Sequence, residues 1–138
     1  MMHLRSVAVF AGVLALQAPA GAQADREVKP GWSTAAVAAY SRSCSEGVIV
    51  PARRDYAAAA ERAGNANPRP FPEGELRDSV EPMCACIARR VATTHALEPG
   101  VDAAVLARPY VQEAMAGREC APQGLLGEIL KLRRDGAR

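Results

Sequence analysis

Residues 79–91 read Ser-Val-Glu-Pro-Met-Cys-Ala-Cys-Ile-Ala-Arg-Arg-Val. Val80, Met83 or Cys84, Ile87 and Val91 recur at three- and four-residue spacing, which is one apolar face of a helix. Ser79 fits as the cap of that helix, and Pro82 then falls in its first turn, where a missing amide costs little. Cys84 and Cys86 lie two apart, so on a helix their side chains point about 200° away from one another. They cannot both face one neighbour, and a bond between them would close a small strained ring. The pair therefore ties one helix to two others.

The partners must be Cys44 and Cys120, the other two of the four cysteines. An even cysteine count in a short exported chain implies a disulfide framework. If the helices carrying Cys44 and Cys120 run antiparallel to the central one, each cysteine meets one member of the pair. Whether Cys44 takes Cys84 or Cys86 stays open. Either choice closes loops of about 34 to 42 residues, each worth about 3–4 kcal/mol in the chain-entropy model.

The rest of the chain reads as helices between clear stops. Ser33 caps a helix over 34–45, with Gly47 as its terminator. Pro51 starts a second over 51–60, ending at Gly64. Pro68, Pro70 and Pro72 alternate around Arg69 and Phe71, so 65–74 is an extended loop. The central helix runs from Ser79 to near His95, and Pro99 and Gly100 break it. A short helix covers 102–107, and Pro109 starts another that reaches Cys120. Pro122 starts the last helix. Its apolar residues are Leu125, Leu126, Ile129, Leu130 and Leu132, and Lys131, Arg133 and Arg134 suit the negative end of its dipole. The expected fold is all-α: a small bundle of four to five short helices stapled by two disulfides.

The first 24 residues read as a secretory signal peptide. Met1–Arg5 is a short basic start, 7–16 an apolar run half the length of a membrane span, and Ala20-Gly21-Ala22-Gln23-Ala24 a small-residue exit. Both Ala22 and Ala24 fit the cleavage pattern, and cleavage after Ala24 leaves charged Asp25-Arg26-Glu27 at the new start. Residues 25–138 then form a single helical, disulfide-stapled domain in the periplasm or outside the cell. The alanine- and arginine-rich usage points to a bacterium. No later segment has transmembrane length.

Composition narrows the function. Of 17 Lys and Arg against 15 Asp and Glu, the leader holds only Arg5, so the domain is nearly neutral. A dedicated nucleic-acid binder shows a strong basic excess. Outside the leader the aromatics are Trp32, Tyr40, Tyr56, Phe71 and Tyr110 alone. So thin a core gains from covalent staples.

No enzyme signature is present. His95 is the one histidine beyond the leader, and a triad would need Ser79, Thr93 or Thr94 as nucleophile and an orienting acid. No Gly-x-Ser-x-Gly turn, phosphate loop or dinucleotide fingerprint occurs. A solvated histidine at a helix end is the expectation. Glu73 with Glu75, and Asp78 with Glu81, suit a helix start. No catalytic residue, metal ligand or cofactor is assigned. Phe71, on its stiff proline-flanked segment, is a possible partner contact. The amphipathic last helix with its basic end could rest on a partner or an anionic membrane, but packing within the bundle is expected of it.

In size, signal and helical content the chain resembles small exported bacterial helical proteins such as acid-stress chaperones and toxin-neutralising immunity proteins. No motif matches residue by residue, so no site is carried over. The expected function is a non-enzymatic exported module that binds another macromolecule, inhibitor- or chaperone-like, with an unknown protein partner. The alternative is a thiol-based copper- or zinc-binding or redox protein using Cys84 and Cys86, since soft sulfur ligands suit those metals. A paired CxxC motif and a thioredoxin-like pattern are both absent.

Overall fold

The computed structural model describes residues 27–137, and the signal-peptide reading of 1–24 lies outside them. The described residues form four helices: α1 (Thr34–Arg62), α2 (Glu73–Thr94), α3 (Ala103–Met115) and α4 (Gly124–Gly136). No strand occurs among the described residues. The all-α expectation and the two disulfides hold.

α2 is the centre. It contributes Leu76, Val80, Met83, Cys84, Ile87, Ala88, Val91 and Ala92 to the buried core, and α1, α3 and α4 all pack against it. The partners settle on it in order. Cys44 meets Cys84, Glu46 meets Arg77 and Arg53 meets Glu73, so α1 runs antiparallel to α2. Cys86 meets Cys120, Arg90 meets Glu113 and His95 meets Tyr110, so α3 does the same.

Several helix boundaries differ from expectation, for one physical reason. Residues 34–62 form one helix, not two: neither Gly47 nor Pro51 breaks it. Cys44, Ser45, Val48, Ile49 and Ala52 keep a single inward face running past both residues, and Ile49 is fully buried. Pro109 likewise lies inside α3, which merges the two helices expected there and ends at Met115, before Cys120. Pro82 lies well inside α2 rather than in its first turn. A helical proline leaves the carbonyl four residues earlier without its amide partner. Here those carbonyls belong to Gly47, Asp78 and Val105. All three residues, and all three prolines, are exposed. The freed carbonyls face solvent, and the packed side of each helix stays continuous.

α2 begins at Glu73 with Pro72 as its N-cap, and Glu73 and Glu75 sit in its first turn, where anions are favoured. The extended loop is therefore two residues shorter than expected. Ser79 is not a cap for α2. It is buried in the middle of the helix, and its role lies elsewhere, as described below. Ser33 and Asp102 do cap their helices, accepting from the amides of Ala36 (3.0 Å) and Ala104 (2.9 Å).

A short strap precedes α1 and was not legible as structure. The Lys29 amide donates to the Ala92 carbonyl (2.7 Å), and the Leu97 amide to that of Pro30 (2.9 Å). Gly31 stands between them at φ 86°, and a Cβ there would run into the Leu97 carbonyl oxygen. Trp32, nearly fully buried, closes this end of the core and donates its indole N–H to the His95 carbonyl (2.9 Å).

Candidate functional site

The Cys84-x-Cys86 pair behaves as its spacing requires. Cys44 bonds Cys84 with Cα atoms 5.8 Å apart, and Cys86 bonds Cys120 at 5.6 Å. Cys84 belongs to the stripe of Val80, Ile87 and Val91, which is the stripe that faces the core and α1. Cys86 points away from it. Cys44 lies within α1 and Cys120 in the turn after α3, so the cysteines join mid-helix positions and a turn rather than helix ends. Among the described residues there is no free cysteine, and no group of three or more His, Cys, Asp or Glu is gathered as a cation would require.

His95 follows the last residue of α2. It is half-buried rather than solvated. Its Nε2 lies 2.9 Å from the Tyr110 hydroxyl, and the two rings meet edge to face. Two of its suggested nucleophiles, Thr93 and Ser79, are committed elsewhere. Thr93 donates to the Arg89 carbonyl (2.9 Å), and Ser79 serves α4. Arg90 stacks over the Tyr110 ring at 4.7 Å and pairs with Glu113 (3.1 Å) and Glu119 (3.0 Å). His95 and Arg90 hold α3 and its following turn against α2.

Two of the four carboxylates around the start of α2, Glu73 and Glu81, are also engaged. Arg77 reaches Glu46 (2.8 Å), Glu73 (3.0 Å) and Glu81 (3.4 Å), and Glu73 also pairs with Arg53. The hydrogen bond from Arg77, then that from Arg53, holds the Glu73 carboxyl below its ordinary range. The three carboxylates in turn push the Arg77 guanidinium further above its own. In sequence these acids read as decoration of a helix start; in the structure Glu73, through Arg53, joins the Arg77–Glu46 pair in an exposed tie between α1 and α2. Such exposed pairs contribute little each.

Phe71 is half-buried and packs against the core. Its ring lies 5.6 Å from that of Tyr56, whose hydroxyl donates to the Arg69 carbonyl (3.0 Å). The proline loop is thus laid back on the second half of α1.

Ser79 has a function that sequence reasoning missed. Gln123, the N-cap of α4, makes no capping bond with its side chain. The Ser79 hydroxyl of α2 accepts instead from the Leu126 amide (3.3 Å), so the cap comes from another helix. Gly124 makes the approach possible: it sits at φ 62°, and a Cβ on it would lie 2.9 Å from the Ser79 oxygen. The available signal was a hydroxyl on the apolar stripe of α2, between Leu76 and Val80.

α4 carries the most exposed large apolar side chain among the described residues, Leu132. Leu126 and Leu130 are its buried seat on α2. Leu125, Ile129 and Leu132 form a second stripe at i, i+4, i+7. Along it Leu125 is half-buried, Ile129 is 37% exposed and Leu132 is 71% exposed. Lys131, Arg133 and Arg134 surround Leu132, and Arg134 also donates to the Met115 carbonyl (3.3 Å). The apolar face of α4 is wider than its seat.

Comparison with known proteins finds no match, whether to a protein-family model, a curated protein or a solved structure.

Proposed function

We propose that this chain is an exported, non-enzymatic helical module that binds another protein, and that α4 offers the contact. The observation that carries the reading is the outer stripe of α4. Leu132 stands 71% exposed beside Ile129, on a helix whose inward face is already filled by Leu126 and Leu130. Exposed leucine at helical spacing is the pattern by which an amphipathic helix anchors in a partner's groove. The cations at Lys131, Arg133 and Arg134 favour a groove with an acidic rim. Two disulfides fit an oxidising compartment outside the cytoplasm, which supports the export reading.

A photo-crosslinking residue at position 132, in cells that express the full chain, tests the reading. A discrete protein adduct is expected, absent when the label is at exposed Ala59 and lost on Ile129→Asp. Adducts to lipid alone would put α4 on a membrane and refute the protein-binding reading. The alternative, a metal or redox site built on Cys84 and Cys86 as thiols, needs those two sulfurs unbonded. Its test is a thiol count on denatured, unreduced protein: zero supports the stapled module, and two or more support the alternative.

A further inference from the structure

We infer that Cys86–Cys120 is a site of thiol–disulfide exchange with an external dithiol, and that Cys44–Cys84 is its inert companion. The two bonds differ in surroundings. Exchange requires a thiolate to reach one sulfur along the bond axis while the other leaves as a thiolate. At Cys44–Cys84 the leaving group after attack on Cys44 is Cys84, which is 0% exposed among Val80, Ile87 and Val91. A thiolate in apolar surroundings is disfavoured, and direct attack on Cys84 is blocked by burial.

Cys86–Cys120 has the opposite setting. Both cysteines are partly exposed. Arg90 lies one turn beyond Cys86 on the same face of α2, and its guanidinium pairs with Glu119, the residue beside Cys120. Its charge is shared between Glu119 and Glu113, so exposure and backbone strain, rather than the cation, set this bond apart. Cys120 is the single non-glycine residue at positive φ (60°) among the described residues, held in that turn by the bond to Cys86 and by the Ala121 amide donating to Arg118. A side chain in the left-handed region is a strained arrangement that opening of the bond relieves. Partly exposed and strained disulfides are the labile ones.

The exchange balances without any other reagent. A thiolate of the dithiol attacks the Cys120 sulfur, the Cys86–Cys120 bond breaks and Cys86 leaves as a thiolate. The second thiolate of the dithiol then attacks its own sulfur in the mixed disulfide and releases Cys120. Two electrons pass from the dithiol to the two cysteines, the dithiol's protons end on the two new thiols, and the dithiol becomes a cyclic disulfide. This inference stands independently of the partner-binding reading of α4.

The test is a time course of the oxidised full chain with dithiothreitol under native conditions, quenched with iodoacetamide. Peptides are fragmented to separate Cys84 from Cys86. A species labelled at Cys86 and Cys120 alone is expected to accumulate, with that bond opening at least tenfold faster than Cys44–Cys84. Opening of Cys44–Cys84 first, or appearance of all four labels together, overturns the inference. In the Cys86→Ala/Cys120→Ala variant, Cys44–Cys84 should stay closed through the same treatment. Its opening there at the rate of Cys86–Cys120 in the parent would also overturn it.

Discussion

Replacing Ser79 with alanine removes the cap that α2 lends to α4 and little else. The hydroxyl is buried and accepts from the Leu126 amide. Gln123 supplies no side-chain bond in its place. Loss of an N-cap bond costs about 1 kcal/mol, within a range of about 0.5–2. For a domain of this size that lowers Tm by about 4 °C. Gly124→Ala should cost more. It puts a side chain at φ 62°, a penalty of about 1–2 kcal/mol, and sets a Cβ 2.9 Å from the Ser79 oxygen. In the double variant the oxygen is gone, so the contact vanishes and the backbone penalty remains. The double variant should therefore be more stable than the sum of the singles predicts, by about 0.5–1 kcal/mol. Urea and thermal unfolding of the four proteins, followed by far-ultraviolet dichroism, measure the cycle. A Ser79→Ala variant within about 0.3 kcal/mol of the parent, or strict additivity, would refute the borrowed cap.

Other perturbations give distinct readouts. Pro51→Ala and Gly47→Ala should each raise Tm, because both positions are exposed inside α1, a Cβ on Gly47 meets nothing within 4 Å, and alanine is favoured over either residue by about 1 kcal/mol or more. A drop in Tm would mean that the proline sets a bend the packing needs. Opening the buried bond with Cys44→Ala/Cys84→Ala should cost about 3–4 kcal/mol in the chain-entropy model, read as a lower urea midpoint; an unchanged midpoint counts against the staple. Glu73 has its carboxyl lowered by Arg77 and Arg53, so its contribution is present above pH 4.5 and lost as pH falls below it. Glu73→Gln should flatten the acid limb of the pH–stability profile, and an unaltered limb contradicts the assignment. Tyr40 is pushed above 10.0, by burial first and Asp102 second, so its contribution is present below pH 10 and lost above it. Tyr40→Phe should flatten the alkaline limb.

What could be read from sequence was what depends on residue spacing. The stripe of Val80, Ile87 and Val91 located the central helix, and the two-residue step from Cys84 to Cys86 required two neighbours. Cys84 sits on that stripe and Cys86 off it, which in retrospect fixes Cys84 as the partner of the core-facing Cys44. What misled was local punctuation. Gly47 read as a stop, Pro51 and Pro109 as starts and Pro82 as a first-turn residue, because such residues mark the ends of isolated helices. In the folded chain each lies on the solvent side of a helix whose other side is packed, and burial outweighs local propensity. Ser79 shows the same limit from the other direction. Its hydroxyl suggested a cap by sequence, and it is one, but for a helix 45 residues further on. The role of Phe71 depended on where a loop folds back, and the strap at Lys29–Trp32 on a long-range backbone match. Neither leaves a periodic trace.

The order of the cysteine pairing has a consequence for the chain's survival among proteases. The two bonds close consecutive stretches, 44–84 and 86–120, that share no residue. Exposed irregular connections are where proteases cut. The loop before α2, the connection between α2 and α3, and the turn leading to Cys120 all lie inside one stretch or the other. A single cut at any of them leaves both fragments joined through sulfur. Between Cys44 and Cys120, only the two peptide bonds flanking Ala85 fall outside this protection, and they lie in the middle of the central helix, beyond the reach of an enzyme that needs extended backbone.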